Sequence, residues 1–159
     1  MKKIGLYLML ALGLLLGSMN DTNAQSAQEE VDLLQAAIGM DKKEMVAEFL
    51  QLESSNPFWA IYDSYETERK ELGKKRIALL SNYANNFLNL SDDEVDIYMK
   101  DIMKLKKSND KLIDSYYSKV KKASGSKVAG QFYEIENYIL AVLRVEILEN
   151  IPFFGEFDL

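Results

Sequence analysis

Between Phe58 and Phe87 the apolar side chains Phe58, Ile61, Tyr62, Tyr65, Leu72, Leu79, Tyr83 and Phe87 keep to one side of a 3.6-residue period. No proline follows Pro57 in this stretch, and the pattern predicts a helix from Pro57 to about Leu88, about 48 Å long at ~1.5 Å per residue. Asn56-Pro57 marks its start, an amide that caps and then a proline whose absent N–H is not missed in the first turn. Asn89-Leu90-Ser91 ends it. Ser91-Asp92-Asp93-Glu94 reads as a capping box opening a second helix on Val95, Tyr98, Ile102, Leu105, Leu112, Tyr116 and Val120, with one gap at Asn109. Ser124-Gly125-Ser126 stops that helix, since glycine takes the left-handed conformation that closes one. A last helix, roughly Lys127 to Asn150, is the most apolar and needs cover on more than one side.

Upstream, Val31, Leu34 and Ile38, then Met45, Val46, Phe49 and Leu52 beyond Gly39, predict two short helices or one broken one, with Asp41 and Glu44 capping the second piece. Ile151-Pro152-Phe153-Phe154 forms an apolar tail. Two long helices of nearly equal length joined by two or three residues must lie antiparallel, because so short a connection cannot cross a bundle. The expected fold is all-α: an elongated antiparallel helical hairpin with additional packed helices, about four in all.

The N-terminus has a different pattern. Lys2 and Lys3 precede an uncharged apolar run of 14 residues, Ile4 to Gly17, and then a polar stretch ending in Thr22-Asn23-Ala24. The run falls short of the ~20 residues of a membrane-spanning helix, so residues 1–24 read as a signal peptide cleaved before Gln25. Residues 25–40 are then a tail and short helix, and 41–159 a single helical domain. The expected location is the periplasm, with no stable membrane insertion after cleavage.

Composition sharpens this. The 159 residues, 48% hydrophobic and 28% charged, suffice for one core, and Gly 8 with Pro 2 disfavours a turn-rich β fold. Without Cys or His, disulfides, thiolate nucleophiles, Cys/His zinc sites and imidazole bases are all absent. No motif organises the remaining carboxylates, Lys, Tyr, Ser and Thr, and Asp92-Asp93-Glu94 is accounted for by capping. The expectation is a non-enzyme with no cofactor and no metal. The net charge of −6, becoming −7 after cleavage, speaks against nucleic acid as a partner.

Two constellations stand out. Arg69 and Arg76 lie one heptad apart on an otherwise apolar stripe, and since guanidinium keeps its proton they call for carboxylates such as Glu66 and Glu136. Structural ion pairs are expected there, with an anion site between helices as the functional reading. The run Lys100 to Lys122 holds eight Lys against Asp101, Asp110 and Asp114, a local excess of +5 on an acidic chain. Its Lys100, Lys104, Lys107 and Lys111, with Met103 and Tyr117, form a candidate surface for acidic, partly unfolded partners; an ordinary solvated helix face is the plain alternative.

Leu90-Ser91-Asp92-Asp93-Glu94, heading a long basic helix, resembles the LTxxQ motif of the Spy family, with Ser for Thr and Glu for Gln. That family includes periplasmic holdase chaperones and the inhibitor of the Cpx stress kinase. The likeness covers roughly Met40 to Asn150 in helix order, and Ser55-Asn56-Pro57-Phe58-Trp59 stands where the family's other motif opens the long helix. Phe58-Trp59-Ala60-Ile61-Tyr62 with Tyr65-Glu66-Thr67-Glu68-Arg69 is also similar to small exported bacterial proteins distantly related to Spy. The resemblance implies a curved helical homodimer whose concave face binds unfolded clients without ATP, or else a regulatory partner of one membrane stress sensor.

Overall fold

The computed structural model describes residues 42–150 and Phe154. The expected signal peptide, the expected tail at 25–40, Asp41 of the expected cap, and Ile151 to Phe153 lie outside the described residues. The architecture is all-α, with no strand among the described residues. Helix α1 spans 42–50, α2 Phe58–Asn86, and α3 Asp92–Asn150. Gly125 breaks α3 with φ 86° and ψ 169°, dividing it into arms 92–124 and 126–150.

Local chemistry sets these boundaries. Gln51, at φ 52°, takes the left-handed conformation that closes α1. The Phe58 N–H donates to Asn56 Oδ1 at 3.0 Å, so the amide caps α2 across Pro57. Ser91 N–H donates to Glu94 Oε2 at 2.8 Å, the reciprocal half of a capping box, with Asp92, Asp93 and Glu94 placed at the positive end of the helix dipole. The Ser91 hydroxyl, which donates to the same oxygen at 2.7 Å, and then the Ser91 N–H hold the Glu94 carboxyl below its ordinary range. At Gly125 a Cβ would meet nothing within 4 Å, so the need for glycine there is one of backbone angle and not of space.

Ring contacts set the register. Tyr65 meets Tyr116 at 5.3 Å and Tyr83 meets Tyr98 at 4.9 Å, so α2 and the first arm run antiparallel. Tyr117 meets Tyr133 at 5.9 Å, which folds the second arm back along the first. The second arm is thereby parallel to α2, with Phe132 against Phe58, Tyr62 and Tyr65. Helix α1 covers the half of this three-rod bundle nearest Gly125, where Val46 and Leu50 join Phe58, Tyr62, Tyr65, Ile113, Tyr116, Val120, Phe132 and Ile135. Each such side chain contributes ~1.5–3 kcal/mol of hydrophobic stabilisation when fully buried. The far end is thinner, and Phe154 lies edge-on to Tyr83 at 5.1 Å.

Two expectations about faces need correction. The buried face of α1 is Lys42, Val46 and Leu50, while Phe49 is 45% exposed, because α1 presents its i, i+4, i+8 row to the bundle. The last helix, expected to need cover on more than one side, leaves Tyr133 and Tyr138 exposed, since the second arm is covered on the side of Ala129, Phe132, Glu136 and Leu140. No helix among the described residues is long and apolar enough to cross a membrane.

Candidate functional site

On the first arm, Lys100, Lys104, Lys107 and Lys111 follow one another at steps of four and three and are all exposed. They form one stripe because the opposite side, Leu105, Asn109, Ile113, Tyr116 and Val120, is buried. Met103 flanks the stripe and is 54% exposed. Tyr117 is placed differently: half-buried, its ring packs against Tyr133 and so belongs to the contact between the arms. The four lysines and Met103 thus share one exposed side of the first arm, and Tyr117 stands apart from them at the contact between the arms.

One member of the stripe reaches a concavity. Where α2 and the first arm diverge, away from α1, a groove of about 450 Å³ is floored by Leu72, Leu79 and Leu105 and rimmed by Lys75, Asp101 and Lys104. Lys104 is thus both a stripe residue and a groove residue. A ligand there would meet apolar side chains below and, at the edge, the ammonium groups of Lys75 and Lys104 with the Asp101 carboxylate.

The second constellation is inside. Lys42 Nζ contacts Glu66 Oε1 at 2.5 Å and Glu136 Oε2 at 2.7 Å, and the residue is 2% exposed. Tyr65 Oη donates to Glu136 Oε2 at 2.7 Å, with Tyr62 Oη 3.4 Å from Oε1. Arg69 Nε donates to Glu66 Oε1 at 2.8 Å. Two cations and two carboxylates therefore balance within one interhelical cluster. Burial raises the Glu66 carboxyl, but Lys42 and Arg69 together outweigh it and hold it below the ordinary value. Burial, followed by the Glu136 charge, drives the Tyr62 and Tyr65 phenols far above theirs, so both stay protonated as donors. Largely closed off from solvent, and with Glu66 Oε2 and Arg69 Nη2 left without a hydrogen-bond partner among the described residues, the cluster joins α1, α2 and the second arm.

Of the residues expected to form ion pairs, Arg69 meets Glu66 directly and Glu136 enters the same cluster through Lys42. Arg76 does not join it: no carboxylate among the described residues lies within ion-pair distance, because its level of the bundle faces Leu105 and comes close to that of Arg144. Sequence reasoning missed Lys42, whose place in the row Lys42, Val46, Leu50 was the available signal. It also missed the hydroxyls of Tyr62 and Tyr65, which a stripe analysis treats only as apolar. Among the described residues no group of three carboxylates is placed to hold a metal ion. Comparison with family models, characterised proteins and solved structures gives no match, so the groove and the cluster are read from their own geometry.

Proposed function

We propose that the chain is an exported, non-enzymatic, ATP-independent holdase, released into the periplasm by cleavage before Gln25, that retains acidic, partly unfolded proteins on the first arm of α3. The observation that carries the reading is the double position of Lys104, on the exposed lysine stripe and at the rim of the apolar-floored groove. Charge on such a surface governs arrival and apolar area governs residence. Lysines farther from a client than the ~8 Å Debye length at physiological salt are screened, so capture slows as salt rises while retention weakens less.

The test is suppression of aggregation of several unrelated unfolded proteins, with the parent and with Lys104→Glu, Lys107→Glu and Lys111→Glu combined. Suppression across the panel, with slower stopped-flow capture of an acidic client by the triple variant, supports the proposal. Suppression of none, with binding to a single membrane sensor, replaces it by the regulatory reading. Equal capture by parent and variant makes the stripe an ordinary solvated face.

A further inference from the structure

Beyond the ionic cluster, the next layer of the bundle holds positive charge that the described carboxylates do not balance. Arg76 follows Arg69 by one heptad on α2, and the ring contacts that set the register place it level with Leu105 on the first arm and close to the level of Arg144 on the second. Arg69 gives its Nε–H to Glu66 Oε1, while Arg69 Nη2 and Glu66 Oε2 are both buried with no hydrogen-bond partner among the described residues. Arg144 Nη2 lies 3.6 Å from Asp110 Oδ1, with its side chain 43% exposed, so this layer opens to the surface there. Arg76 is half-buried with no carboxylate within ion-pair distance among the described residues, and burial, then Arg144 and Arg69, pull its guanidinium down to about 10. A guanidinium keeps its proton in a protein, so its charge is balanced by an anion and not by neutralisation.

We propose that Arg76, flanked by Arg144 and by the unsatisfied Nη2 of Arg69, binds a small oxyanion of the phosphate or carboxylate type between α2 and the arms of α3. Glu66 is shared by Arg69 and Lys42, and Asp110 by Arg144 and Lys106, so neither carboxylate is free to offset Arg76, whose charge suits a single anionic group. The planar fork of a guanidinium matches two oxygens of either ligand. This site is independent of the lysine stripe and of the holdase reading.

Calorimetric titration of the protein with inorganic phosphate, and separately with acetate, at constant ionic strength tests it. One saturable site per chain is expected, weakened about tenfold or more by Arg76→Met and also weakened by Arg144→Gln. Arg76→Met is expected to fold, since it removes a half-buried charge that has no carboxylate beside it, and circular dichroism checks this. Lys100→Gln, on the exposed stripe, should leave the titration unchanged. Saturation by both ligands supports a general carboxylate-sized oxyanion site; saturation by phosphate alone supports the phosphate form. No saturable binding of either, equal binding by Arg76→Met, or an equal loss in Lys100→Gln overturns the proposal.

Discussion

Lys42 Nζ lies 2.7 Å from Glu136 Oε2, although the two residues are 94 positions apart, and this contact fastens α1 to the second arm of α3. Both are almost fully buried. The pair is held in place by a second carboxylate, Glu66, and by two tyrosine hydroxyls, so its removal strands several groups at once.

Lys42→Met leaves Glu66 with only Arg69 and leaves Glu136 buried with phenol donors alone. Breaking a buried ion pair from one side costs ~3–5 kcal/mol, and that loss is expected in urea unfolding. Combining Lys42→Met with Glu136→Gln should recover part of it, because the stranded charge goes too. No change in the unfolding midpoint of the single variant would show that Lys42 is not held in the cluster.

The same cluster sets a pH window. The Glu66 carboxyl titrates near 4.5 when unfolded and below that when folded, so its stabilisation is complete above pH 4.5 and is lost as pH falls through the lower, folded value. The Tyr65 phenol titrates near 10 when unfolded and higher when folded, so its contribution is complete below pH 10 and is lost as pH rises through the folded value. Urea midpoints measured against pH should therefore form a plateau between about 4.5 and 10 with a fall on each side. A steady slope across the plateau would contradict the pairing.

Two glycines of the last segment should respond in opposite directions to alanine. Gly125, at φ 86° and ψ 169°, lies outside the left-handed helical region expected for a helix stop, in a conformation essentially confined to glycine; with open space around its missing Cβ, Gly125→Ala meets only backbone strain, ~1–3 kcal/mol. Gly130 lies inside the second arm, also with open space, so Gly130→Ala should stabilise by ~0.5–1 kcal/mol through helix propensity. Thermal melts of the two variants check the contrast, and equal shifts would deny a turn at Gly125.

Replacing Lys104, Lys107 and Lys111 together by Glu should leave the fold intact, because all three are exposed on the side of the first arm opposite its core. Surface changes of this kind cost within ~0.5 kcal/mol each. A collapsed helical signal in circular dichroism would mean that the stripe is packed in solution.

Local signals in the chain were legible. Asn56, the Ser91 to Glu94 box and Gly125 each act on backbone within three residues of themselves, so sequence alone places the helix ends. The order of antiparallel rods followed from connection length. The interior chemistry was less legible, because Lys42 meets Glu136 only after three helices have packed, and its lysine is indistinguishable by type from the exposed Lys43 beside it. Arg76 shows the reverse difficulty: its position on an apolar stripe announced a partner, but which residue lay opposite depended on the register of the second arm. The groove arises from the space left between α2 and the first arm and has no motif of its own.

The chain's one tryptophan, Trp59, stands at the junction where α1 meets the bundle. Its indole N–H donates to Glu53 O at 3.0 Å, its ring is edge-on to Phe58 at 5.0 Å, and the Lys43 ammonium of α1 sits 5.8 Å from its centre. The indole is therefore a built-in optical probe of the short helix. Its emission should change when α1 detaches even if the long rods persist, whereas far-ultraviolet dichroism is dominated by those rods. Divergence between the two signals would resolve a partial opening of the molecule from its global unfolding, without any label being introduced.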